Sequence, residues 1–146
     1  MERRMTSDRS PAQVLTTLIG AVFILVGILG FIPGITSHLY GGLDFAGHNS
    51  QAKLFHVFQV SWLHNIVHIA FGLVGLAFAR TMATARLYLI GGGVVYLVLW
   101  LLGIVGGGDW IPVNTADNWL HFVLGIGMVA LGFVTGRDVR RTAAPA

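Results

Sequence analysis

Four long apolar stretches, at residues 14–32, 60–79, 87–105 and 120–135, leave this chain few ways to fold. Three approach the ~20 residues needed to cross a hydrocarbon core, and the fourth falls slightly short before its flanks are added. Only 10% of the side chains are charged and 55% are hydrophobic, whereas a soluble domain carries about 25% charged residues. A soluble bundle would show apolar stripes backed by charged faces, but these segments are apolar almost all round. The expected fold is all-α: an integral membrane four-helix bundle forming a single domain over residues 14–135. Residues 1–13 would precede it as a cytoplasmic segment, and residues 136–146 would follow as a cytoplasmic tail.

The basic residues give that bundle a direction. Arg3, Arg4 and Arg9 precede the first stretch, Arg80 and Arg86 separate the second from the third, and Arg137, Arg140 and Arg141 follow the fourth. Lys53 alone lies in a loop on the other side. Lysine and arginine near span ends stay cytoplasmic, so both termini are expected inside a bacterial inner membrane. The formal charge of +3 reflects orientation and attraction to anionic headgroups. No nucleic-acid motif accompanies it, and the lipid bilayer is the expected partner.

There is no cysteine, which excludes disulfides, thiolate metal sites and cysteine nucleophiles. The first apolar stretch is longer than the 7–15 residues of a signal-peptide core and lacks an A-x-A-like site, so it reads as a retained span.

Ser10-Pro11 has the chemistry of a helix start, and Pro33-Gly34 punctuates the end of the first helix. The loop over 34–59 is the longest polar segment and holds His38, Asp44, His48, Lys53 and His56. Its second half, 53–59, is expected to continue into the second helix or lie at the interface, with Phe55, Phe58 and Trp62 as anchors. A glycine-rich break is expected over 106–112, with Trp110 and Trp119 at headgroup level. Asp117 or Thr115 is expected to cap the fourth helix.

The chain reads as a duplicated hairpin. Asn65, His68 and Gly72 in the second stretch recur as Asn118, His121 and Gly125 in the fourth. Gly20, Phe23 and Gly30 in the first recur, at equal intervals, as Gly93, Tyr96 and Gly103 in the third. Two spans per unit give both units one orientation, related by an axis along the membrane normal.

At ~100° per residue, Asn65, His68, Gly72 and Gly75 share one helix face, as do Asn118, His121, Gly125 and Gly132. Small residues there let backbones approach. At ~1.5 Å per residue, His68 lies ~18 Å from Arg80, and His121 ~24 Å from Arg137, so both fall in the outer half of the core. Polar groups at that depth seek partners. The candidate polar cluster is therefore His64, Asn65, His68, Asp117, Asn118 and His121.

Its first reading is interhelical hydrogen bonding in a non-enzymatic accessory or partner-binding subunit, with a membrane protein or a second copy as partner. Its second is haem or a divalent metal on His64, His68 and His121, with His64 and His68 spaced for one metal and His68 and His121 for the two axial sides of a haem. Its third is a proton or small-solute pathway, since histidine titrates near neutral pH. H-x-x-x-H without the glutamate of H-E-x-x-H gives no zinc-peptidase signature, and no catalytic motif stands out.

The stretch Phe58-Gln59-Val60-Ser61-Trp62-Leu63-His64-Asn65-Ile66-Val67-His68 and the stretch Ala116-Asp117-Asn118-Trp119-Leu120-His121 resemble a family of small four-helix bacterial membrane proteins known as a domain of unknown function. The likeness runs from the first helix to the fourth. It implies a multi-pass inner-membrane protein, assigns no activity, and marks His64, Asn65, His68, Asp117, Asn118 and His121 as shared site positions.

Overall fold

A computed structural model describes residues 9–106 and 113–142, with side chains up to residue 136. Four long helices carry the chain: α1 (Pro11–Leu29), α3 (Trp62–Phe78), α4 (Met82–Ile104) and α5 (Thr115–Thr142), with a four-residue turn, α2 (Leu39–Gly42), between the first two. α1, α4 and the Thr115–Gly136 part of α5 are long and apolar enough to cross a membrane. α3 is a shorter apolar helix of 17 residues, about 26 Å at ~1.5 Å per residue.

Each helix starts where its sequence satisfies free amides. Ser10 accepts from the Gln13 amide while the Gln13 side chain reaches back to Ser10, and Pro11 fills the first turn. This reciprocal cap satisfies two orphan donors at once. Ser61 caps α3 through the His64 amide, and Thr81 caps α4 through the Thr84 amide. At α5 the cap differs from expectation: Asn114, one residue before Thr115, accepts from the Asp117 amide, and Asp117 returns a bond to the Asn114 amide.

α1 packs mainly on α3, and α4 mainly on α5. Both contacts are backbone-close because glycine meets glycine. A Cβ on Gly72 would stand 2.5 Å from the Gly20 carbonyl oxygen, and one on Gly20 2.9 Å from that of Gly72. In the other pair, a Cβ on Gly93 would stand 2.8 Å from the Gly125 oxygen, and one on Gly125 3.0 Å from that of Gly93. Gly75 lies against Tyr88, and Gly132 against Ile90. At the end where α3 turns into α4, Gln13 Nε2 donates to Ala79 O at 3.1 Å, and Arg86 Nε donates to Gly132 O at 3.0 Å. The two pairs join through an aromatic core of Phe23, Tyr88, Tyr96 and Met128, flanked by Phe71. Phe23 stacks on Tyr96 with centroids 5.5 Å apart and planes within 7°.

The segment between α1 and α3 departs from expectation. It folds into a three-stranded antiparallel sheet, β1 (Thr36–Ser37), β2 (Lys53–Leu54) and β3 (Phe58–Gln59), in that order. Residues 53–59 therefore form a hairpin, not an extension of α3. Its turn places Phe55 and His56 at φ of 51° and 62°, a left-handed conformation that non-glycine residues seldom adopt. The sheet has its own core. Ala52, Leu54 and Val60 are buried against Val26 and Leu29 of α1, with Ile35, Leu43 and Phe58 around them. Ser50 Oγ donates within this core, and the carbonyls of Asp44 and Phe45 accept from the first-turn amides of α3, Trp62 and Leu63. The start of α3 is thus buried without leaving its amides unpaired.

α4 begins at Met82, before the apolar stretch that starts at 87, and α5 continues to Thr142, past the expected end at 135. Most of the break expected over 106–112, with Trp110, lies outside the described residues, as do Arg3, Arg4 and the end of the tail.

Candidate functional site

A cavity of about 90 Å³ lies between the sheet and the adjoining ends of the helices. His64 and His68 from α3 and Asp117 and His121 from α5 all line it. The histidine faces of the two helices, which the sequence leaves unplaced relative to each other, thus meet at one space. Tyr96 of α4 completes the polar lining, and Val26, Leu54, Phe55, Phe58, Val60, Leu120 and Leu124 supply apolar walls.

The two histidines of α3 lie one helical turn apart and stack, with centroids 4.2 Å apart and planes within 17°. His68 Nδ1 is 3.0 Å from the His64 carbonyl oxygen. A carbonyl only accepts, so Nδ1 carries the proton and Nε2 is left as the lone-pair nitrogen of the neutral ring. Phe23 meets His68 edge-on at 5.7 Å, and Tyr96 tilts over His121 at 5.2 Å. His121 is only 6% exposed, and its buried Nδ1 has no hydrogen-bond partner among the described residues.

Asp117 ties the pocket to its roof. Its Oδ2 accepts from the Gln59 amide of β3 at 3.0 Å and from the Asn114 amide at 3.1 Å. Asn114 Nδ2 adds a bond of 2.7 Å to the Val57 carbonyl in the hairpin turn. The β2–β3 hairpin, which belongs to the α1–α3 connection, is therefore fastened to the start of α5.

Asn65 and Asn118 stand apart from this group. Asn65 is fully buried with its carboxamide pressed on Gly30, and the Asn118 carboxamide presses on Gly103. Neither lines the cavity. Among the described residues both Asn65 side-chain atoms and Asn118 Oδ1 lack hydrogen-bond partners, in place of the cross-bundle bonds expected of them. The spacing that aligns Asn65 with Asn118 also aligns His64 with Asp117 and His68 with His121.

The geometry narrows the chemistry. His64, His68 and His121 do not assemble a metal-binding group among the described residues. His68 and His121 both line this cavity of about 90 Å³, a space far smaller than a porphyrin. Phe23, Tyr96, Tyr88 and Met128, with Phe71 against them, form a packed core in the middle of the bundle. Phe55 and Phe58, expected as interfacial anchors, line the pocket, and Trp62, the third, is half exposed and packs on Phe31. His38, His48 and His56 are exposed outside it.

Sequence reasoning missed Tyr96 and the hairpin as parts of the site. Tyr96 carried a signal, since it repeats the position of Phe23 opposite a histidine. The Gln59–Asp117 contact joins residues far apart in sequence and carried none.

Residues 13–134 fit the family described as the domain of unknown function DUF4383, and the chain belongs to that family. No curated protein and no solved structure matches it.

Proposed function

We propose, from membership of a family that assigns no activity, that this is a non-enzymatic four-span inner-membrane protein with a blind-ended binding pocket opening toward the periplasmic side. Both termini and the α3–α4 turn would lie in the cytoplasm, following the arginines at those ends. The carrying observation is the shared cavity. Three imidazoles and a carboxylate from two helices line one space under a fastened roof, with a packed aromatic core behind them.

Lipid is the solvent that suits the outer surface of the helices. Leu18, Val22 and Leu25 of α1, Leu73 of α3, Val94, Val98 and Leu101 of α4, and Val123 and Phe133 of α5 are all exposed. Such apolar coverage suits hydrocarbon and would be an aggregation liability in water. The short α3 suits a local mismatch, since neighbouring helices and flanking residues accommodate a few ångströms of missing length.

A duplicated hairpin accounts for the paired contacts. Gly20–Gly72, Gly30–Asn65 and Phe23–His68 in one half correspond to Gly93–Gly125, Gly103–Asn118 and Tyr96–His121 in the other. The pocket then lies where the two halves meet, close to the pseudo-twofold axis. A partner-binding accessory role would use this pocket as the sensing or docking element.

Single cysteines in the cysteine-free chain and a flux assay test the reading together. A cysteine at His56 should react with an impermeant thiol reagent outside spheroplasts, and a tag at either terminus should be protected. Proteoliposomes should show no proton flux above the protein-free level. Labelling of position 56 only from the cytoplasm, or flux abolished by replacing the three histidines, would contradict it.

A further inference from the structure

The pocket has a surplus of acceptors and a negative charge. His68 Nδ1 is committed to the His64 carbonyl, which leaves Nε2 as an acceptor. The Asp117 carboxylate spends Oδ2 on the amides of Gln59 and Asn114, and Oδ1 has no protein donor among the described residues. His121 presents a buried Nδ1 that has no partner among the described residues. Among the described residues no lysine or arginine lines the cavity. Lys53 points the other way, exposed on β2, while its neighbour Leu54 is buried in the wall.

We infer that this cavity binds a small ammonium-type cation, a molecule that combines one positive charge with several N–H donors and at most a short alkyl tail. The inference rests on the pocket being the binding site, and it adds the ligand class. An ammonium group donates three or four hydrogen bonds, which suits a carboxylate and imidazole lone pairs disposed around it. Bonds to a charged group are the stronger kind. Phe55, Phe58 and Tyr96 add aromatic rings to the wall, and such rings attract cations when water is excluded. Space sets the upper limit, because about 90 Å³ holds a few waters or a solute of a few heavy atoms. A carboxylate ligand would face Asp117 with no cation to offset the repulsion. Among the described residues no three metal-binding side chains gather around one point for a divalent metal.

The test is histidine-ring NMR of the full chain in nanodiscs, titrated with methylammonium chloride at constant ionic strength. Sodium chloride, sodium acetate and zinc chloride are the comparison probes. The expected result is a saturable shift of the His68 and His121 resonances with methylammonium and none with sodium chloride. Asp117→Asn should weaken that binding about tenfold, as loss of one charged hydrogen bond does. If Asp117→Asn fails to fold, the wild-type titration and His121→Gln decide in its place. Saturable shifts with acetate or zinc but not methylammonium would overturn the ligand class and leave the pocket standing. No shift with any probe would overturn both.

Discussion

The α1–α3 hairpin and the α4–α5 hairpin use the same packing and diverge at one end. In each, a glycine pair brings the backbones together, an asparagine presses on a second glycine, and an aromatic ring meets a histidine. Their connections differ. The first runs from Gly30 to Ser61 and folds into a sheet with its own core. The second runs only from Val105 to Asn114. The polar residues differ as well: His64 in the first hairpin stands where Asp117 stands in the second, and Phe23 where Tyr96 stands. A shared skeleton sets helix spacing, and the divergent end builds the pocket, with the roof from one half and the carboxylate that holds it from the other.

If the halves are equivalent in packing, matched changes should hurt equally. Gly72→Ala and Gly125→Ala each push a methyl into facing backbone, and each should destabilise the bundle by roughly 1–3 kcal/mol. Gly127→Ala, where a Cβ meets nothing within 4 Å, should be neutral or slightly stabilising. Unfolding in mixed micelles measures all three, and a large effect in only one hairpin would break the comparison.

The asparagine contacts sharpen it. Gly30→Ala should clash with Asn65, and Asn65→Ala should relieve that clash, giving a coupling of about 0.5–3 kcal/mol in a double-mutant cycle. Gly103→Ala with Asn118→Ala should behave the same way. Additive effects in either cycle would contradict the contact.

The roof should separate the halves. Asp117→Ala removes the acceptor of two amides and should destabilise by about 1–3 kcal/mol. Hydrogen exchange should speed up at Gln59 and Asn114 while the amides of α1 stay protected. Uniform deprotection would mean that Asp117 holds the whole bundle and not its roof. His68→Phe should have the smallest destabilising effect, roughly 0.6 kcal/mol, the average for a polar contact within membrane helices. A loss of several kcal/mol would make His68 a structural keystone.

The helices were legible because hydrophobic runs and caps act locally. Ser10-Pro11 and the apolar stretch after it mark the start of α1, and the glycine and asparagine intervals group residues on one face of α3 and one face of α5. The sheet was not legible. Its hairpin turn uses Phe55 and His56 at positive φ, without the glycine or asparagine that usually marks such a turn. Its strands are two residues long, too short for an alternating pattern. What holds them is tertiary: Leu54 and Val60 against α1, and Gln59 on Asp117. The histidines could be put on faces from the sequence, but their meeting depended on how two hairpins dock, which no local spacing encodes. The α5 cap fell one residue early because Asn114 and Asp117 satisfy each other, so Asp117 serves the helix start and the roof together.

The most direct test of the shared pocket is the reactivity of His121→Cys toward a small membrane-impermeant thiol reagent, applied separately to right-side-out and inside-out vesicles. The expected result is modification from the periplasmic face alone, accelerated when Asp117→Ala loosens the hairpin above it. Modification from the cytoplasmic face, or a rate indifferent to that second change, would contradict a blind-ended pocket roofed by the sheet.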